Sequence, residues 1–311
     1  MIISASRRTD IPAFYATWFI TRLKEGFVYV QNPMNLKQIS NIPLNKEVVD
    51  CIVFWTKNAI PLISHLDAIN RMGFRYYFLF TLNPYDNSIE KRVGDKKEII
   101  KGFKKLSDTI GKERVIWRYD PVIINNNLSI EYHLRSFYKL SKLLSGYTSK
   151  CIFSYVDLYA KIKRRAQEIV GEIGIQNMHK IAYGFSEIAK EWNISLETCS
   201  EKIPLSQYGI QHASCIDKRT IEKITGYPLK GTNDKNQRPE CGCMESIDIG
   251  AYNSCSHGCL YCYANTSDET VYKNIQLHTP SSPLLIGTPR AKNKITDRAV
   301  KLLKETQILL L

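Results

Sequence analysis

Short apolar runs that alternate with longer helical patterns constrain this 311-residue chain more than any other feature of its sequence. Each run has the length of one buried strand, and the stretch after it carries apolar residues at helical spacing. The predicted strands are 2–6, 50–55, 75–82, 114–118, 151–156 and 193–198. Such alternation predicts an α/β fold with a parallel sheet. Six such units suit either a partial (β/α)6 barrel of the TIM type or a doubly wound parallel sheet.

The change in sequence character after the last predicted strand divides the chain into three predicted parts. The parts are a barrel domain over 1–198, a cysteine-rich segment over 199–265 and a C-terminal extension over 266–311 that packs back on the barrel. Loss of periodicity in the middle part indicates a segment ordered by metal rather than by its own core. The further predicted elements are a hairpin over 27–31 and 38–44, helices over 60–72, 88–110, 130–144 and 158–192, and a basic helix over 294–308. Asp10, followed by Ile11 and Pro12, predicts the start of the first helix.

Polar side chains follow the end of every predicted strand. In parallel α/β proteins the carboxyl ends of the strands meet at one edge, where binding sites are built. The candidates at these ends are Arg7, Arg8, Asp10, Lys57, Asn83, Arg118, Asp120, Ser154 and Glu197. Three arginines and a lysine at one rim repel each other unless carboxylates or an anion balance them, and the arginine fork suits carboxylates and phosphates. Taken singly, each residue is better explained as the point where a strand leaves the core, and Asp10 as a helix cap.

The segment from Cys255 to Cys262 carries three cysteines with the spacing C-x3-C-x2-C. So short a loop can direct three thiolates at one centre, and Gly258 relaxes the backbone before Cys259. Soft thiolates select iron–sulfur clusters, zinc or copper(I). Three ligands would leave the fourth iron of a [4Fe–4S] cluster open to chelate a small molecule. A zinc site and a closed cluster with a structural role are the alternatives.

Four motifs carry a resemblance to known families. They are Ser4–Asp10, Phe54–Asn58, Trp117–Pro121 and Cys241–Asn265. Through them nearly the whole chain is similar to an uncharacterised bacterial family, a domain of unknown function with a radical-SAM-like cysteine cluster near its C-terminus. The loop itself, with Tyr261 before its last cysteine, resembles the cluster loop of the radical S-adenosylmethionine (radical SAM) superfamily. Its Tyr-Cys-Tyr ending resembles the spore photoproduct lyase branch.

The resemblance implies that Cys255, Cys259 and Cys262 hold a [4Fe–4S] cluster whose open iron binds SAM. Reduction, by a donor such as flavodoxin or ferredoxin, then cleaves SAM to a 5′-deoxyadenosyl radical. In most radical SAM domains this loop follows the first strand. Here it follows the sixth, so either the order is permuted or the segment folds back over the barrel mouth. The catalytic candidates are Arg7, Arg8, Asp10, Lys57, Arg118 and Asp120, and the cofactor-binding candidates are Tyr261, Glu197, Asn83 and Ser154.

A second group of cysteines lies in the irregular segment. Its members are Cys199, Cys215, Cys241 and Cys243. Four ligands would close a site, so we expect it to be structural or electron-relaying, with a second iron–sulfur cluster or zinc. The alternative is that Cys199 and Cys215 are small buried hydrophobes. His212 or His257 could replace a ligand, whereas Cys51 and Cys151 lie within apolar strands and are expected in the core.

The chain has 43 Lys and Arg against 30 Asp and Glu, a formal net charge of +13. Basic runs at 101–105 and 161–165 form either solvated helix faces or a surface for nucleic acid. The start lacks a signal-peptide pattern, no apolar run has the length of a membrane span, and the nine cysteines suit a reducing compartment. These features predict a cytoplasmic monomer. The rival function is a metal-binding nucleic-acid protein without radical chemistry.

Overall fold

The structure, a computed structural model, describes residues 1–157, 166, 169–171, 173–238, 240–300 and 302–305. The basic run at 161–165 and the first part of the predicted helix 158–192 lie outside these ranges. In chain order the strands are β1 Ile2–Ala5, β2 Phe27–Asn32, β3 Asn35–Pro43, β4 Cys51–Thr56, β5 Tyr76–Thr81, β6 Val115–Val122, β7 Lys150–Tyr155, β8 Ser195–Cys199, β9 Gln211–Ala213, β10 Ile247–Asp248 and β11 Lys294–Asp297. The helices are α1 Ile11–Phe14, α2 Ala16–Glu25, α3 Ile60–Ile63, α4 Leu66–Arg71, α5 Lys96–Ile110, α6 Ile130–Leu144, α7 Ile175–Glu191, α8 Lys218–Thr225 and α9 Asp268–Gln276.

The main sheet has eight parallel strands in the order β10-β1-β4-β5-β6-β7-β8-β9. This confirms the α/β class and the parallel sheet. The predicted number of strands is wrong, because β9 and β10 extend the six predicted strands to eight. In the part of the chain that the structure describes, these two edge strands do not pair with each other, so the sheet stays open rather than closing into a barrel.

Both faces of the sheet are buried, as the continuous apolar runs of its strands require. Alternate strand residues point to opposite sides. One face is covered by helices such as α5, whose Phe103 belongs with Phe54 and Phe78 of the sheet to the largest core. On the other face, Val53 and Tyr77 belong to a smaller core. That core is covered by the segment between β9 and β10, which runs from one edge of the sheet to the other.

Local sequence signals explain where the helices begin. Asp10 accepts a hydrogen bond from the backbone N of Ala13 at 3.0 Å and caps α1, which confirms the predicted start. Ser129 caps α6, whose observed bounds are those predicted. The predicted helix 60–72 is divided into α3 and α4, and that over 88–110 begins only at Lys96, where Asp95 supplies the cap.

The predicted basic helix over 294–308 is wrong within the described residues. Residues 294–297 form β11, which pairs in parallel with β3 of the smaller three-stranded sheet. The open edge of β3 offers backbone hydrogen bonds that a short helix with few apolar residues cannot match. Residues 301 and 306–308 of the predicted helix lie outside the described ranges. No described helix is both long enough and apolar enough to cross a membrane.

Candidate functional site

A cavity of about 560 Å³ lies at the carboxyl ends of the sheet strands. Its size is in the range of small-molecule sites. Among its lining residues are the rim candidates Arg7, Arg8, Asp10, Lys57, Arg118, Asp120 and Ser154. The same cavity is lined by Tyr261 and by seven cysteines: Cys199, Cys215, Cys241, Cys243, Cys255, Cys259 and Cys262. The two cysteine groups and the strand ends therefore meet in one place.

The cysteine loop is fixed by the segment that follows β5. Cys259 forms an antiparallel bridge with Glu90, and the backbone N of Leu260 donates to the carbonyl of Ile89 at 3.0 Å. Arg92 donates from its backbone N to the carbonyl of His257 at 2.9 Å and from Nε to that of Ser256 at 2.8 Å. These contacts hold the loop over the strand ends, although it lies far along the chain from the first strand.

Asp10 joins the first strand end to the cysteine loop. Its carboxylate accepts hydrogen bonds from Thr56 Oγ1 and from the backbone N of Lys57, both at 2.7 Å. On the loop side, His257 Nε2 lies 2.8 Å from Oδ2 of Asp10, and both side chains are buried. The helix cap that the sequence predicts is thus also a bridge between β4 and the loop.

Glu90, which the sequence did not single out, is the centre of a buried polar cluster. Lys57 Nζ donates to it at 2.6 Å, Asn83 Nδ2 at 3.2 Å, and Lys96 and the hydroxyl of Tyr261 also donate to its carboxylate. Burial alone would raise the pKa of Glu90, but Lys57 and Lys96 outweigh it and lower the pKa to about 2. The carboxylate is therefore charged and holds Tyr261 beside Cys259.

A second polar cluster lies at the ends of β6 and β7. Asp120 forms an ion pair with Arg118 and accepts a hydrogen bond from the hydroxyl of Ser154. The backbone N of Asp120 donates to Asn83 Oδ1 at 2.8 Å, so Asn83 stands behind the cavity wall and joins this cluster to Glu90. The charges of Arg118 and Asp120 balance each other, as charged side chains inside a protein require.

The cavity retains donors that the chain does not satisfy. Nη2 of Arg7 and Nε of Arg118 are buried and have no hydrogen-bond acceptor among the described residues. Both guanidinium groups lie over the ring of Trp55, with Cζ at 5.4 Å and 5.0 Å from its centroid. Buried donors without partners are rare and costly, so an anionic or carbonyl-bearing ligand suits this part of the cavity.

The second cysteine group lies on the same side of the cavity as these arginines. Cys199 Sγ and Cys215 Sγ are 3.5 Å apart, and Cys243 lies next to both Cys215 and Cys241. The backbone N of Ile216 donates to Cys243 Sγ at 3.4 Å. Hydrogen bonds from Cys215 and Cys241 lower the pKa of Cys243, and contact with Cys215 lowers that of Cys199, so protons are shared unequally within the group.

The loop presents three thiols to the cavity. Cys255, Cys259 and Cys262 line one cavity and supply three soft donors. Burial raises the pKa of Cys255 well above its usual range and that of Cys259 to about 12, so metal binding would have to displace their protons. As they stand, no three His, Cys, Asp or Glu side chains in the described ranges are arranged to hold one metal ion.

Some candidates lie elsewhere. Glu197 does not line the cavity; it pairs with Lys150 at 2.8 Å at the other end of the neighbouring strand. His212 is exposed on the edge strand β9. Cys51 and Cys151 are fully buried in the cores. Sequence reasoning missed Glu90 because a single glutamate in a polar stretch has no distinguishing pattern.

Comparisons with known proteins give a family but no activity. No curated protein matches the chain. Among solved structures, a proposed alpha-L-fucosidase from Bacteroides thetaiotaomicron is similar over 72% of this chain and 82% of its own, with 10% identity and a TM-score of 0.28. That score is too low to bear on fold or function. Residues 2–264 match the family described as a domain of unknown function, DUF1848, and the chain belongs to that family.

Proposed function

We propose that this chain is an iron–sulfur enzyme of the radical SAM type. One observation carries the proposal: the three thiols of the C-x3-C-x2-C loop and the polar ends of the parallel strands face a single cavity. When bound, a [4Fe–4S] cluster and SAM together supply one-electron reductive cleavage of the SAM sulfonium. Cys255, Cys259 and Cys262 are the residues that would hold the cluster.

The neighbouring residues have distinct roles in this proposal. Lys57, Glu90 and Tyr261 fix the middle of the loop, because they form one buried hydrogen-bonded set beside Cys259. Arg7 and Arg118 supply unsatisfied donors for a carboxylate, which SAM carries, or for an anionic group of the substrate. Asp120, held by Ser154, is placed to accept a hydrogen bond from a ribose hydroxyl or an ammonium group.

The strand order supports a finer proposal about the fold. Within the main sheet, β1, β4, β5, β6, β7, β8 and β9 lie side by side in chain order. In a doubly wound sheet, by contrast, the direction in which successive strands are added reverses at a switch point. We propose that the sheet is an incomplete barrel, with the cysteine segment folded back over its mouth. The loop follows β10, which pairs in parallel with β1 at one edge of the sheet, so its late position in the chain still places it beside the end of the first strand.

The decisive experiment is SAM cleavage under anaerobic, reducing conditions. We expect the reconstituted protein to release methionine and 5′-deoxyadenosine from SAM in the presence of dithionite, and its reduced EPR signal to change when SAM is added. The variant Cys255→Ala/Cys259→Ala/Cys262→Ala should lose both properties.

A matched control removes a thiol from the core instead. Cys151→Ala, in a strand and 0% exposed, should retain iron and activity. Cleavage by the triple variant at the wild-type rate would show that the loop does not hold the cluster. A colourless protein without iron after reconstitution would instead favour the rival, a non-catalytic metal-binding protein.

A further inference from the structure

We propose that Cys199, Cys215, Cys241 and Cys243 together bind a single zinc ion, in a site separate from the cysteine loop. This goes beyond the proposed enzymatic function and does not depend on it. The site would be closed, with four protein ligands, and its role would be structural. It would tie together the edge of the main sheet and the segment that covers its second face.

The separation of Cys199 and Cys215 favours a shared metal ion over a four-iron cluster. Four sulfurs at a Zn–S distance of about 2.3 Å around a tetrahedral centre lie about 3.8 Å from one another. Cys199 Sγ and Cys215 Sγ are 3.5 Å apart, close to that separation. In a four-iron cluster each cysteine binds a different iron, which spreads the sulfurs much further apart. Cys215, Cys243 and Cys241 continue the chain of neighbouring thiols.

The backbone brings the four thiols together from three segments. Cys199 ends β8, and Cys215 follows the neighbouring edge strand β9. Cys241 and Cys243 come from later in the crossing segment and are held beside Cys215, because the backbone N of Met244 donates to the carbonyl of Ile216 at 2.9 Å. The backbone N of Cys241 also donates to the carbonyl of Arg238 at 2.9 Å.

Cationic and N–H groups lie beside the sulfurs. Arg7 lies near Cys243, and Arg118 lies near Cys199 and Cys215. The backbone N of Ile216 also donates to Cys243 Sγ. Cationic and N–H groups aimed at sulfur are the outer contacts that stabilise metal-bound thiolates. Small buried hydrophobes would not need two guanidinium groups beside them.

The four sulfurs form a chain rather than a finished tetrahedron. This agrees with the finding that no three such ligands in the described ranges already surround one point. Each cysteine sulfur turns about a single side-chain torsion, so completing the site requires rotation of the outer two side chains. Metal binding would then order the irregular segment, as in other sites where binding and folding are coupled.

The test uses the full-length chain with the loop cluster removed by Cys255→Ala/Cys259→Ala/Cys262→Ala. We expect this triple variant to retain about one zinc per chain, and X-ray absorption to show four sulfurs at about 2.3 Å. In wild type the same zinc should accompany any loop iron, so failure of the radical SAM proposal would leave this result unchanged. Co²⁺ in place of zinc should give the intense visible bands of a tetrahedral thiolate site.

Further variants separate the outcomes. Adding Cys243→Ser to the triple variant should release the zinc, whereas adding Cys51→Ala, in the buried strand β4, should not. If the variant with the added Cys243→Ser fails to fold, a second experiment treats the folded triple variant with a thiol-modifying reagent. We then expect one zinc to be released for every four thiols that react. A metal-free triple variant, iron with sulfide in it, or a disulfide between Cys199 and Cys215 would each overturn the proposal.

Discussion

Glu90 shows how a single residue can organise a site without leaving a trace in the sequence. Its carboxylate contacts Lys57 and Lys96 before and after it in the chain, and Tyr261 far beyond it. None of these separations corresponds to a local pattern. Asp10 is the opposite case, because Asp-Ile-Pro predicts a helix cap from neighbouring residues alone. Even there, the bonds to Lys57 and His257 could be seen only in the fold.

Replacing the Glu90 carboxylate tests this cluster. Glu90→Gln leaves Lys57 and Lys96 with no charge partner at this position while Lys57 stays buried, and removing one member of a buried ion pair costs about 3 kcal/mol or more. We expect a loss of that size in the free energy of unfolding, measured by urea denaturation. Cluster loading should fall as well, because the neutral amide oxygen of glutamine is a weaker acceptor for the Tyr261 hydroxyl than the carboxylate that holds it beside Cys259.

Glu98→Gln is the matched control for Glu90→Gln. Glu98 also pairs with a lysine, Lys101, but at 2.8 Å on the exposed face of α5. Exposed pairs contribute at most about 1 kcal/mol. If the two variants lose equal stability, or if Glu90→Gln loads iron normally, then Glu90 does not organise the loop.

Strands and helices were predictable where the local apolar pattern matches the face that the element buries. The apolar runs of β1, β4, β5 and β7 and the helical period of α6 specify those elements locally. The C-terminal basic stretch could not be predicted in this way. Lys294–Asp297 forms a strand because it pairs with the open edge of β3, a partner distant in sequence. The cysteine loop is likewise positioned by partners distant in sequence, chiefly residues 89–92, which no local pattern reveals.

Gly258 makes the position of the loop testable. Its φ of +65° favours glycine, and a Cβ at this point would lie 2.5 Å from Nη2 of Arg92. Gly258→Ala should therefore cost about 1–2 kcal/mol through the backbone and also displace the arginine that holds the loop. We expect less iron per chain after reconstitution and slower SAM cleavage.

Gly146→Ala is the control that separates the effect of backbone strain from that of the contact with Arg92. Gly146 has φ of +82°, and a Cβ there would meet nothing within 4 Å. This variant should lose similar stability from the backbone but keep its full iron content. Equal iron content in the two variants would mean that the contact with Arg92 does not position the cluster loop.

For the molecule as a whole, the sequence specifies the class of fold better than the number of strands in the sheet. Six apolar strands separated by helices lead directly to a parallel α/β sheet. The two edge strands escape this reasoning because β10 has two residues and β9 three, too few for a hydrophobic period. They form because the ends of the crossing segment meet the open edges of β1 and β8. That crossing brings the second cysteine group to the cavity.

The net charge of +13 gives a prediction about partners. Arg7 and Arg118 lie inside the cavity and have carboxylates nearby, whereas Lys101 and Lys105 are exposed on α5. A surface that uses only its exposed lysines should bind heparin as well as any nucleic acid. If the cavity takes a nucleic-acid substrate, one nucleic acid should be preferred over heparin, and Arg118→Ala should abolish that preference.

We expect this preference, and the measurement is binding of tRNA, single-stranded DNA, duplex DNA and heparin between 50 and 200 mM salt. Six phosphate contacts would cost on the order of a thousandfold in affinity across that range, because each releases bound counterions. Lys101→Ala/Lys105→Ala should flatten the salt dependence for all four polyanions and leave their ranking intact. Equal affinities for all four in the wild type, unchanged by Arg118→Ala, would exclude a nucleic-acid substrate and leave a small anionic molecule as the occupant of the cavity.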